Sequence, residues 1–150
     1  MMANESEISM IGELSYLLGL QIKQMKNGIF MSQGKYIKDM LKKFGMNEAK
    51  AISTPMGTNG NLDSDASGNM VDQKLYWSMI GSLLYVTASR SDVIFSVCMC
   101  AKFQASPRES HLKVTNKILR YLKHTQNVSL WYSKGAKFEL VGYSDLDYAG

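Results

Sequence analysis

The last eleven residues, LVGYSDLDYAG, read as a strand that ends in two carboxylates, Asp145 and Asp147. A strand end suits a metal ligand, because the sheet fixes where the side chain points. Two-metal phosphodiester chemistry needs several carboxylates around divalent ions about 4 Å apart. Two are too few, and residues two apart share a face only if the strand runs on past Asp145. The other acids of note, Asp63, Asp65 and Asp72, lie far off in the chain. By chemistry alone this is either part of an active site or a pair of solvated acids on a tail.

A second group could bind anions. Lys113, Lys117, Arg120 and His124 step by four, three and four, so on a helix they share one face, with Ile118, Leu119 and Leu122 on the other side. Each cation that displaces a counterion from a phosphate adds affinity that falls with salt. The competing reading is an ordinary solvated face. Residues 106–125 hold five cations against Glu109 alone, a surplus equal to the net charge of +4 for the whole chain.

Three other patterns carry less. Asp63, Asp65, Ser67 and Gly68 match the first half of a calcium loop, but Lys74 stands where a bidentate Glu must close the cage. His111 and His124 have no carboxylate or thiol at ligand spacing and read as partly exposed histidines beside bases. Cys98 and Cys100, the only cysteines, point about 200° apart on a helix and read as buried free thiols.

The chain has 150 residues, 45% of them apolar, enough for one domain or two small ones. Eleven Met suggest a core filled by flexible side chains. The N-terminus is acidic and polar, with no signal peptide, and the apolar stretches 79–88 and 93–101 are too short to cross a bilayer, so an intracellular chain of open location is expected.

The elements that must position these groups follow from periodicity and punctuation. Tyr16–Ile22 and Ile29–Met31 read as a hairpin about Asn27-Gly28. Tyr36, Ile37, Met40, Leu41 and Phe44 form one stripe of a helix that Gly45 closes. Residues 51–71 are rich in Gly and small polar residues and read as a linker. Asp72 caps a helix over 73–88 with Leu75, Met79, Leu83 and Val86 on its inner face. A second helix runs over 92–104. Ser106-Pro107-Arg108-Glu109 reads as a capping box that starts a third, ending near His124. Residues 128–134 and 138–145 then read as a strand pair. The fold class is α+β: an N-terminal β-hairpin and helix, a central three-helix region, and a C-terminal strand pair. The segments are 1–50, 51–71, 72–125 and 126–150.

The motifs GELSYLLGLQIKQMKNGIFMSQGKYIKDMLKKFGM, STPM, YWSMIGSLLYVTASRSDVIFSV, AKFQASPRESH, ILRYLKHT and LVGYSDLDYAG occur in an order and spacing that closely resembles the Pol polyprotein of copia-type LTR retrotransposons, plant ones especially. The match runs from about Glu7 to Gly150. The resemblance implies the C-terminal end of a reverse transcriptase palm over 1–50, a thumb-like helical region over 72–125 and the truncated start of a ribonuclease H domain over 126–150. The family's Tyr-Val-Asp-Asp polymerase motif is absent. Asp145 matches the family's first metal-binding aspartate, Asp147 takes no assigned role, and the remaining carboxylates would lie beyond Gly150.

The expectation is therefore an incomplete catalytic chain, inactive alone and needing no cofactor itself, with Mg²⁺ belonging to the intact parent. Its partner would be an RNA·DNA hybrid or RNA, bound weakly and in a salt-dependent way through Lys113, Lys117 and Arg120, with no membrane or small-molecule substrate. Three positions depart from the family pattern: Trp77 for Arg, Ser91 for Pro, and Leu146 for a small residue. The first two are single C-to-T steps, as in a decaying, methylated element; an intact reading frame under purifying selection would overturn that reading.

Overall fold

The computed structural model describes residues 14–17, 20–55, 62–133 and 138–141. It is α+β, and it forms two compact units. One joins Met1–Ile37 to Thr125–Gly150; the other is Lys38–His124. The two ends of the chain share a unit, and residues 51–71 fall inside the helical one.

The first unit is a five-stranded antiparallel sheet in the order β1 (Leu14–Leu17), β2 (Leu20–Met25), β3 (Gly28–Ser32), β4 (Ser129–Ser133), β5 (Phe138–Val141). The single strand expected over Tyr16–Ile22 is two, with Leu17 facing Leu20 across the sheet. The next turn is Lys26-Asn27, one residue earlier than expected, because Gly28 already pairs with Met25. The hairpin is not isolated. β4 returns from the far end of the chain and pairs with β3, so the C-terminal strand pair widens the sheet instead of standing apart.

Gly28 shows why β4 can approach. A Cβ there would collide with the Tyr132 carbonyl and come within 2.7 Å of the Trp131 ring. The side chain that glycine lacks is the space the Trp131 indole uses on its way to Phe30, which it meets at 4.5 Å between ring centres. Gly28→Ala is expected to cost about 2 kcal/mol by overpacking, with loss of near-ultraviolet signal from Trp131. Unchanged stability and an unchanged spectrum would show that β4 does not need this close approach.

Helix α1 (Gly34–Lys43) starts where the sheet ends. Two of its orphan N–H groups are satisfied by the sheet unit's side chains: Gly34 donates to Ser32 Oγ at 3.1 Å and Lys35 to Gln21 Oε1 at 3.0 Å. Ile37, Met40 and Leu41 of its stripe are buried. Its end follows the sequence. Gly45 takes φ +69°, the Met46 N–H donates to the Leu41 carbonyl at 2.7 Å, and the Gly45 N–H to Lys42 at 3.2 Å, a Schellman closure.

The helical unit packs α2 (Gln73–Val86), a 3₁₀ turn (Ser91–Val93), α3 (Ile94–Ala101) and α4 (Glu109–His124). Asp72 caps α2 by accepting the Lys74 N–H at 2.9 Å. Tyr76 donates its hydroxyl to the Cys100 carbonyl at 2.7 Å and Trp77 its indole N–H to Gln104 at 2.7 Å. The start of α2 therefore meets the end of α3, and the two run antiparallel. The inner face of α2 is Tyr76, Met79, Ile80, Leu83 and Val86; Leu75, expected inside, is exposed because Tyr76 takes the buried position. The buried side chains are mainly Leu, Ile and Val, with Met40 and Met79 the only buried methionines among the described residues. Cys100 is buried, its thiol pushed above its usual pKa by burial, but Cys98 is exposed.

Candidate nucleic-acid interface

The helix that carries the basic stripe is held at both ends. Its start lies two residues later than the Ser106 cap anticipated. The Val71 N–H donates to the Pro107 carbonyl at 3.2 Å, and Arg108 forms a bridge with Met70, so 107–108 are extended and cannot begin a helix. Arg108 becomes the cap position. Its carbonyl accepts the His111 and Leu112 N–H groups, both at 3.0 Å. Its own N–H donates to His111 Nδ1 at 2.9 Å. His111 thus does at the third helical position what Glu does in a capping box. With Nδ1 accepting, the ring proton is on Nε2, which donates to the Asp63 carbonyl at 2.7 Å.

His111 is fully buried and stacked on Phe103, not partly exposed as its basic neighbours suggested. The calcium-like stretch is fixed here as well. Asp63 Oδ1 accepts the Asp65 N–H at 3.0 Å, and Asp65 Oδ2 accepts the Ser110 hydroxyl at 2.8 Å. The Asp63 carboxylate braces the loop, and that of Asp65 ties it to the helix start. Among the described residues no three His, Cys, Asp or Glu side chains converge as metal ligands.

At the other end, the chain that follows α1 lies along the last turns of α4. The Arg120 Nε–H donates to the Lys50 carbonyl at 2.7 Å, and Lys123 Nζ donates to the Asn47 and Ala49 carbonyls at 2.6 and 2.8 Å. These contacts bring Lys50, itself exposed, beside the stripe. They also divide the predicted residues by role. Lys113 and Lys117 are exposed and form no hydrogen bond or ion pair with any described residue. Arg120 is half-buried, and part of its guanidinium holds backbone.

A third tie lies between α4 and the 3₁₀ turn. Arg90 is 1% exposed and meets Asp92 through two hydrogen bonds, Nε to Oδ1 at 3.0 Å and Nη2 to Oδ2 at 2.7 Å. Tyr121, on α4, donates its hydroxyl to Asp92 Oδ2 at 2.6 Å. Burial alone would raise the Asp92 carboxyl, but the bonds from Arg90 and Tyr121 outweigh it and hold the group below its usual value. Burial, reinforced by the neighbouring carboxylate, raises the Tyr121 phenol. In the sequence Arg90 and Asp92 do no more than separate the apolar stretches 79–88 and 93–101. The available signal was that no other charged residue occurs between Leu75 and Ala101.

Charge separates by unit. The helical unit carries twelve Lys and Arg against seven Asp and Glu, and the sheet unit five against six. The net positive charge therefore lies in the helical unit. Asp145 and Asp147 lie outside the described residues.

Comparison with known proteins agrees with the motif order. The chain is 36% identical over 138 residues to the retrovirus-related Pol polyprotein from transposon RE1 of Arabidopsis thaliana, covering 92% of this chain and 9% of that polyprotein. It is 32% identical to the corresponding polyprotein from transposon TNT 1-94 of Nicotiana tabacum, covering 93% of this chain and 11% of that one. It is 31% identical to a putative transposon Ty5-1 protein of Saccharomyces cerevisiae, of which it spans 46%. The chain thus spans about a tenth of the length of the Pol polyproteins it matches. No family model matches it, and no solved structure does either. About nine-tenths of the chain aligns with transposon Pol sequences, and over that stretch it corresponds to a segment of the retrovirus-related Pol polyproteins of retrotransposons.

Proposed function

We propose that this chain is the part of a copia-type Pol polyprotein in which reverse transcriptase gives way to ribonuclease H, and that its helical unit rests on the backbone of an RNA·DNA hybrid or of RNA. The observation that carries this reading is the pair Lys113 and Lys117. Both are exposed one turn apart on a rigid helix, free of described partners, on the more basic of the two units. A phosphate backbone is a row of charges that such a pair can follow without reading sequence. Arg120 serves as a positioning residue that also lends charge. Asp145 is read as a metal ligand of the longer polyprotein, and the chain alone as catalytically incomplete.

Binding of a labelled RNA·DNA duplex should therefore be weak and should fall steeply with salt. Lys113→Ala with Lys117→Ala should lower the slope of log K against log[salt] by roughly 1.5 to 2, close to one counterion per lost contact. Arg120→Ala is a poorer probe, because it also releases Lys50. Binding that survives the lysine pair unchanged would sink the interface. No binding at all would favour a remnant without function. Cleavage of the hybrid with Mg²⁺, abolished by Asp145→Asn, would overturn the view that the chain is incomplete.

A further inference from the structure

The helical unit has a second surface of opposite character. On α2, Trp77, Gly81, Leu84 and Tyr85 recur at spacings of four, three and one, on the side away from the buried Met79, Leu83 and Val86. On α3, Ile94, Phe95 and Cys98 do the same opposite Ser96, Val97 and Cys100. The two helices are antiparallel neighbours, so these faces form one outer layer. A helix that is apolar on two sides is normally covered on both.

Between Leu75 and Ala101 the face carries no charge, and the exposed Lys74 of α2 and Lys102, which ends α3, lie at one end of it. Arg90 and Asp92 are the only charged residues from Leu75 to Ala101, and they are paired with each other. This argues against nucleic acid as the occupant. It also confines the repulsion between two copies of a basic unit to the end of the face where Lys74 and Lys102 lie.

The area fits a copy of the same surface. Phe95 is 67% exposed, Trp77 50% and Tyr85 38%. At the size of aromatic side chains, their open parts come to on the order of 300 Å². Leu84 and Ile94, each about two-fifths exposed, bring the apolar surface to roughly 450 Å². A standard dimer interface buries about 800 Å² on each partner, somewhat over half of it apolar, which is the same amount. Gly81 supplies the shape. A Cβ there meets nothing within 4 Å, so between Trp77 and Tyr85 the surface has a notch open to a facing side chain.

We infer that this chain pairs with a second copy of itself through the outer face of α2 and α3, the two helix pairs forming a four-helix bundle about a twofold axis. The lysine face of α4 takes no part. Association should accordingly persist as salt is raised, unlike the binding of nucleic acid.

Sedimentation equilibrium over a concentration series tests this directly. The wild-type chain should show a monomer–dimer equilibrium. Phe95→Asp, at the most exposed aromatic, should raise the dissociation constant at least about tenfold. Gly81→Leu should weaken pairing similarly by filling the notch, while helical circular dichroism is kept or increased, since Leu is a far better helix former than Gly. That variant separates loss of pairing from loss of fold. A wild-type chain that is monomeric at every concentration would overturn the inference, as would a dimer that both substitutions leave intact. Either result leaves the nucleic-acid reading, tested by Lys113 and Lys117, untouched.

Discussion

Arg90→Leu is expected to destabilise the helical unit by about 3 kcal/mol at neutral pH, the lower end of the range for breaking a buried ion pair by removing one partner. Arg90 is almost wholly buried, and Leu can fill much of its volume. The cost arises from what is left behind: Asp92 keeps its charge but loses two of its donors. Asp92 retains 24% exposure, so water can replace part of what is lost, which places the value at the lower end. Arg90→Lys should recover little, because an ammonium cannot make the planar two-bond contact. Removing both partners as Arg90→Leu with Asp92→Leu should cost less than Arg90→Leu alone, since no charge is then stranded. A double variant weaker than the single one would show that the pair acts through something other than charge compensation.

The same pair predicts a pH dependence with a definite sign. The Asp92 carboxyl is held below its ordinary value of 3.8 in the folded chain. Its contribution is therefore complete above that value and is lost as the pH falls through the lower folded one. Urea midpoints of wild type and Arg90→Leu should differ most at neutral pH and converge below about pH 4. A gap that stays constant with acidification would mean that the carboxylate is not what Arg90 stabilises.

How much of this was legible in the sequence depends on how far away each partner lies. Gly45 and Asp72 act on residues within four positions, and both closures were readable. The helical stripe of α1 was readable for the same reason. That Lys113 and Lys117 share an exposed helix face needed only the helical period. Features whose partner is remote were misread. β4 was placed with β5 as a separate strand pair, because nothing local indicates that Trp131 will lie against Phe30. Ser106 scored well as a cap, but Pro107 and Arg108 are drawn into extended pairing with Met70 and Val71. Arg120 looked like a free cation until residues 46–52 supplied carbonyls beside it. His111 looked solvated because its sequence neighbours are polar, although the residues that enclose it are Asp63 and Phe103.

His111→Ala is the second large effect expected, about 3 kcal/mol. The substitution opens a cavity where the imidazole lies against Phe103 at 4.1 Å between ring centres, and cavities of this kind cost about 2–5 kcal/mol. It also leaves the Arg108 N–H without its acceptor and the Asp63 carbonyl without its donor. His111→Gln separates the two roles. A glutamine carbonyl at the third helical position can take the Arg108 N–H, as in an ordinary capping box, but it does not reproduce the rigid reach of Nε2 to Asp63. The Gln variant should therefore recover about 1 kcal/mol and restore exchange protection at the Arg108 amide. Its 62–72 segment should remain as open to limited proteolysis as in the Ala variant. If Gln restored loop protection as well, the loop's other ties to the start of α4, such as Asp65 to Ser110 and the Met70–Arg108 bridge, would suffice, and His111 would be a helix cap and nothing more.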